Sequence, residues 1–202
     1  MHRVKLYASL MTVAVLAVSL PLSAATVVQL NLEQMVDRAD KIFRGTVLDA
    51  REGTVQAGGG ELPVVTYRLR VDEEFKGAFE EVKGVRIAEV RMLGKLKPAS
   101  SSGTARSLPP LTDLPRLEVG RDYLLLTTPE SAAGLSTTIG LGQGRFELKG
   151  KPGQEIALND NQNRGLFRGM SGTDSFSGGA TPQEGPLPYS ALASLIRNIV
   201  GQ

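Results

Sequence analysis

The sequence predicts a mainly β domain, an OB-like antiparallel barrel of five to six strands with a short N-terminal helix and a C-terminal helix. Three observations carry this expectation. Val64 to Val71 alternates, with Val65, Tyr67, Leu69 and Val71 on one side and Thr66, Arg68 and Arg70 on the other, the period of a half-buried strand. Gly45 stands inside the run Ile42-Phe43-Arg44-Gly45-Thr46-Val47-Leu48, where a bulge would let one strand serve both halves of a barrel. Between Leu135 and Leu148 the apolar residues hold odd positions up to Leu141 and even positions from Phe146. That switch across Gly140, Gly142 and Gly144 reads as a strand bending at a barrel corner. A flattened sandwich is the competing architecture.

Taken in order, the chain opens with His2, Arg3 and Lys5, an apolar stretch from Leu6 to Leu20, and the small residues Ser23-Ala24-Ala25. This pattern predicts a signal peptide over residues 1–25 and an exported protein, periplasmic or extracellular; Pro21 and the small-residue end argue against a membrane anchor, so no transmembrane segment is expected in the mature chain. A barrel domain is expected over 26–168. Asn31 and Gln34 stand at capping-box spacing ahead of Leu32, Met35, Val36 and Ala39 on one helical face. Strands follow from Lys41 and Val64, with a loop at Gly58-Gly59-Gly60 and a turn at Asp72–Gly77. Val82 to Met92 reads as one strand, with a second bulge near Ala88-Glu89 where Val85 and Ile87 give way to Val90 and Met92. Residues 94–117, rich in Lys, Pro, Ser and Gly, form a long exposed loop. Tyr123–Leu126 is an apolar strand, and Glu155–Leu158 is the return strand of a hairpin after Lys149–Gly153. A flexible linker is expected over 169–188 and an amphipathic helix over 189–202. In that helix Leu192, Leu195, Ile196 and Ile199 make one sticky face, expected to dock on the barrel, with a membrane surface or a partner as the alternative.

Composition narrows the chemistry. Loss of Arg3 and Lys5 with the leader leaves 21 basic against 21 acidic residues, so no chain-wide positive charge recruits nucleic acid, and no nucleic-acid partner is expected. The chain has no Cys and no Trp, and its one histidine, His2, leaves with the leader. Ser-His-Asp and Cys-His nucleophiles and the usual zinc sites are thereby excluded from the mature chain. Ser100, Ser101 and Ser102 lie near Lys95 and Lys97, but an exposed loop does not desolvate a lysine enough to make it a base. Gly140, Gly142 and Gly144 have the wrong spacing for a dinucleotide fingerprint. Asn159 to Asn163 suggests a calcium loop only superficially, since Arg164 and Met170 stand where glycine and glutamate are needed. No cofactor and no metal is expected.

The run Leu32 to Val47, then Val71-Asp72-Glu73-Glu74-Phe75-Lys76-Gly77, then Val119 to Leu126, then Gly140 to Phe146, resembles a group of uncharacterised exported bacterial proteins with an OB-like, netrin-type module. The resemblance spans about Leu30 to Leu158 and implies the barrel fold without implying a reaction. Tissue inhibitors of metalloproteases share that general fold and act through an N-terminal cysteine, which this chain lacks.

The functional expectation is an exported, non-enzymatic binding or adaptor module for an envelope or extracellular protein, peptide or glycan, working through the 94–117 loop and adjacent strand edges. Its candidate ligand surface is Arg68, Arg70, Lys95, Lys97 and Arg106. The alternative is a hydrolase using carboxylates such as Glu73, Glu89 or Asp122, or an accessory or inhibitor of a secreted metalloprotease.

Overall fold

The computed structural model of the chain describes residues 28–96, 114–170 and 184–201, so the expected signal peptide, Lys97, Arg106 and most of the expected linker lie outside the described residues. The elements run α1 (Leu32–Arg38), β1 (Lys41–Ala57), β2 (Gly60–Lys76), β3 (Glu80–Val82), β4 (Val85–Leu93), β5 (Asp122–Thr127), a 3₁₀ turn (Leu141–Gly144), β6 (Arg145–Lys149), β7 (Ile156–Asn159), β8 (Leu187–Pro188) and α2 (Tyr189–Val200). The strands form one antiparallel sheet of eight in the order β3-β4-β2-β1-β5-β6-β7-β8.

This corrects the expectation of a closed barrel of five or six strands. Among the described residues the sheet is open, with β3 and β8 at its edges. Two strands are additional: Glu80–Val82 pairs with β4, and Leu187–Pro188, expected to end a linker, pairs with β7. Closure is approached at one point. Thr138 bridges β5 at Thr127, and the next residue but one, Ser136, donates its N–H to the Arg91 carbonyl of β4 at 2.9 Å. Because β2 and β1 lie between β4 and β5, that bond requires the sheet to curl. The paired stretch beside β5 ends in a turn, where Ser131 N–H donates to the Leu135 carbonyl at 2.8 Å.

The curl gives the sheet two cores on opposite faces. In β5, Leu124 and Leu126 face one core and Tyr123 and Leu125 the other, and all are buried. A strand buried on both sides needs no alternation, which accounts for its unbroken apolar run. The first core packs Leu124, Leu126 and Phe146 against Leu32, Met35 and Val36 of α1 and Leu192 and Ile196 of α2. The second joins Phe43, Tyr67, Leu69, Val90 and Met92 to Leu117.

The capping box of α1 is complete: Asn31 Oδ1 accepts from Gln34 N–H at 2.9 Å, and Gln34 Oε1 accepts from Asn31 N–H at 3.1 Å. The β1–β2 register shifts at Gly45, where a Cβ would run into the Arg70 carbonyl. The second expected bulge is absent, because β2 and β4 hold one register from Val64↔Leu93 to Arg70↔Ile87. The parity change reflects the two faces of one regular strand: Ala88, Val90 and Met92 enter the second core, Ile87 is buried on the other face, and Val85 lies exposed after the tight turn at Lys83 and Gly84, both at positive φ. Similarly, the switch across Gly140–Gly144 is a 3₁₀ turn between the Thr138 bridge and β6, not one bent strand. No helix among the described residues is long and apolar enough to cross a membrane.

Candidate functional site

Of the candidate ligand surface, Arg68, Arg70 and Lys95 lie among the described residues, and Lys95 stands apart from the two arginines. Arg68 and Arg70 share the wetter face of β2, and each is already paired: Arg68 Nη1 lies 3.3 Å from Asp49, and Arg70 Nε lies 2.7 Å from Asp72 while its Nη2 donates to Thr46 Oγ1 at 3.1 Å. Lys95 is exposed beyond the end of β4, beside Glu52, Gly53 and Thr54. Val64 pairs with Leu93, so Lys95 falls near the level of Leu62 on the ladder, about 20 Å along the strand from Arg68. Each arginine thus already faces a carboxylate, Asp49 being shared with Arg51, and the separation isolates the lysine. Lys97 and Arg106 lie outside the described residues.

The acids named for hydrolysis are held by cations or stand apart. Arg44 of β1 lies 3.4 Å from Asp122 and 3.0 Å from Glu155, with its guanidinium 4.8 Å from the Tyr189 ring centroid. Tyr189 donates its hydroxyl to Glu73, which also pairs with Arg197. Burial alone would lower the Arg44 pKa, but the hydrogen bond to Glu155, followed by Tyr189 and Asp122, carries it above the ordinary value. Hydrogen bonding to its own backbone N–H and then to Arg44 holds the Glu155 carboxyl below the usual range. A general acid needs the opposite shift. Glu89 is on β4, opposite Arg68 in the ladder. Among the described residues, no three Asp, Glu, His or Cys side chains are grouped to hold a metal.

A cavity of about 380 Å³ opens where β4 and the segment after β5 approach. Met92 and Leu93 come from the end of β4, Leu114 and Pro115 from the returning end of the long loop, and Leu135 from the turn after β5. The turn is fixed by its own hydrogen bonds. Ser131 N–H donates to the Leu135 carbonyl at 2.8 Å, Leu135 N–H to Ser131 Oγ at 3.1 Å, and Thr137 N–H to Thr128 Oγ1 at 3.1 Å. Ser131 and Thr128 thus accept from backbone and retain hydroxyl protons to offer a ligand. None of the lining residues is ionisable.

No protein-family model matches the chain, and no curated protein matches it. The assignment of the site rests on this geometry. A pocket of apolar walls with a few hydroxyls at its rim binds by shape and dehydration, and its volume lies in the range of small-ligand and side-chain pockets. Sequence reasoning pointed to the 94–117 loop and the adjacent strand edges, from which Leu114, Pro115 and the end of β4 line the cavity. It missed Leu135, which looked like the start of a bent strand, and it missed Ser136, whose backbone bond to Arg91 brings the two walls together.

Proposed function

We propose that the protein is an exported, non-enzymatic binding module and that the pocket between β4 and the Thr128–Thr137 segment receives an apolar side chain of a protein or peptide ligand. The supporting observation is the pocket itself: about 380 Å³, without an ionisable group, and walled in part by the returning end of the long loop and the end of β4. A glycan is disfavoured as ligand because the lining offers no aromatic ring on which a sugar face could stack. The curl linking β4 to the segment beside β5 supports kinship with OB-like modules, and the charged and apolar pattern of residues 1–25 supports export.

Selection of displayed random peptides on the purified protein tests the reading. Peptides with a shared large apolar residue are expected to be enriched, and Leu135→Glu, at a half-buried position, is expected to weaken them about tenfold or more without lowering the melting temperature. Binding indifferent to Leu135→Glu would remove the pocket from the assignment. Efficient turnover of a defined compound by metal-free protein would remove the non-enzymatic reading.

A further inference from the structure

β1 and β2 run well past the strands that flank them. β1 pairs with β5 only through Thr46, and Val47 then exchanges backbone hydrogen bonds with Gly120 and Arg121. From Asp49 to Ala57 the side of β1 away from β2 meets no backbone partner among the described residues. β4 reaches only to Val64, so the tip of the hairpin projects as a two-stranded arm. Such an arm is marginal in isolation, and a long open edge is a feature that proteins normally cover.

The two edges of the arm differ. Gly58 and Gly59, at φ 60° and 78°, make the two-residue turn, so Ala57 and Gly60 form its closing hydrogen-bonded pair and the alternate pair Thr54↔Pro63 is a non-hydrogen-bonded one. Consistently, the Pro63 carbonyl points away from β1 and accepts from Gly94 N–H at 2.9 Å. Pro63 has no N–H to offer, so the β2 edge is blunted. On β1 the register is constant from Asp49 to Ala57, and the groups pointing outward are those of Ala50, Glu52, Thr54 and Gln56. That edge is open.

We propose that a second copy of this chain occupies it, the two β1 strands pairing antiparallel about a two-fold axis at Gly53. Gly53 is the midpoint of the open stretch, so this register pairs the whole stretch with itself. It sets Glu52 against Thr54 of the other copy, Ala50 against Gln56, Arg51 against Val55 and Asp49 against Ala57, with no like charges opposed. All four outward-facing residues then meet outward-facing residues, as a hydrogen-bonded ladder demands. Centring on Arg51 or Glu52 would oppose identical charges. The arm, the edge and the register are independent of the pocket.

Sedimentation equilibrium of the purified protein is expected to show a monomer–dimer equilibrium. Thr54→Pro removes an N–H that has no partner among the described residues and is expected to give a monomer with unchanged melting temperature. Val55→Glu, placed opposite Arg51, and Val55→Lys are expected to differ about tenfold in dimer dissociation constant, the glutamate variant being tighter. Gly53→Cys is expected to form a disulfide-linked dimer on mild oxidation, since the chain contains no other cysteine and a Cβ at Gly53 meets only Val64 at 3.7 Å. Ala57→Cys, about 26 Å from its symmetry mate in this register, is expected to cross-link far more slowly. A protein monomeric at high concentration would mean that the edge is empty or taken by another strand, and would overturn the proposal. So would a dimer that persists in Thr54→Pro, or cross-linking of Ala57→Cys equal to that of Gly53→Cys.

Discussion

Asn163 is the residue on which the segment after β7 is fastened. It is buried, at φ 55°, and its side chain accepts from Asn159 N–H at 3.0 Å and donates to the carbonyls of Ala157 at 2.9 Å and Gly185 at 2.8 Å. Asn159 answers by accepting from Asn163 N–H at 2.6 Å and donating to the Gln143 carbonyl at 3.0 Å, while Gln143 Oε1 accepts from Leu30 N–H at 2.9 Å. Three buried amides therefore tie the start of the described chain, the 3₁₀ turn, β7 and the approach to β8. Asn163→Ala leaves two carbonyls and one N–H without partners and places a Cβ-bearing apolar residue in the left-handed region, which is expected to cost about 3 kcal/mol in urea unfolding. Asn163→Gly removes the same bonds but tolerates the backbone, so it is expected to be less harmful by about 1 kcal/mol. Equal losses in both variants would show that the backbone conformation carries none of the cost. The asparagines between Asn159 and Asn163 were legible as a turn. Their burial was not, because it depends on Gln143 and Gly185, which are distant in sequence.

At the scale of elements, α2 separates two kinds of contact that a sequence shows together. Leu192 and Ile196 are fully buried, Leu195 nearly so, and Ile199 packs partly against the same core. On the rim, Arg197 pairs with Glu73 and lies 5.3 Å from the Phe75 ring centroid, with its side chain about half exposed. Burial outweighs the ion pair. Leu192→Ala is expected to cost about 3 kcal/mol and Arg197→Ala no more than about 1 kcal/mol, measured by chemical denaturation. A larger loss from Arg197→Ala would show that the helix is clasped rather than packed. The 3.6-residue period made this face readable from Leu192, Leu195, Ile196 and Ile199. β3 was not readable, since Glu80, Glu81 and Val82 are all exposed and the strand is created by the partner it finds in β4. The β1 arm was invisible for the same reason: nothing local distinguishes Arg51–Ala57 from a loop until its register with β2 is known.

For the whole molecule, alternation in β2 and the bulge at Gly45 were sufficient to read a mainly β sheet, whereas closure was overestimated. Barrel and curled open sheet share the same local signals, glycines and parity changes, and differ only in whether the last ladder is completed; here, among the described residues, β4 meets the segment after β5 through the Ser136–Arg91 hydrogen bond without forming a ladder. The two-faced sheet also buries every tyrosine among the described residues. Burial raises the pKa of Tyr67 and of Tyr123. Tyr189 is raised furthest, by burial first and then by its hydrogen bond to Glu73, well above the usual tyrosine range. A phenol that ionises less readily folded than unfolded stabilises the fold fully below its unfolded pKa of about 10, and that contribution is lost as pH rises beyond it. Tyr67 and Tyr123 both belong to the second core, and Tyr189 anchors α2 to the first, so ionising them attacks both faces of the sheet at once. Phenolate absorbance followed against pH is therefore expected to stay low through the ordinary tyrosine range and then rise in one step together with loss of the β circular-dichroism signal. Tyr189→Phe is expected to move that step to higher pH, having removed the phenol whose ionisation most favours the unfolded chain. A gradual phenolate rise centred near 10, with the circular dichroism unchanged, would mean that the tyrosines are open to water and that the sheet does not enclose two cores.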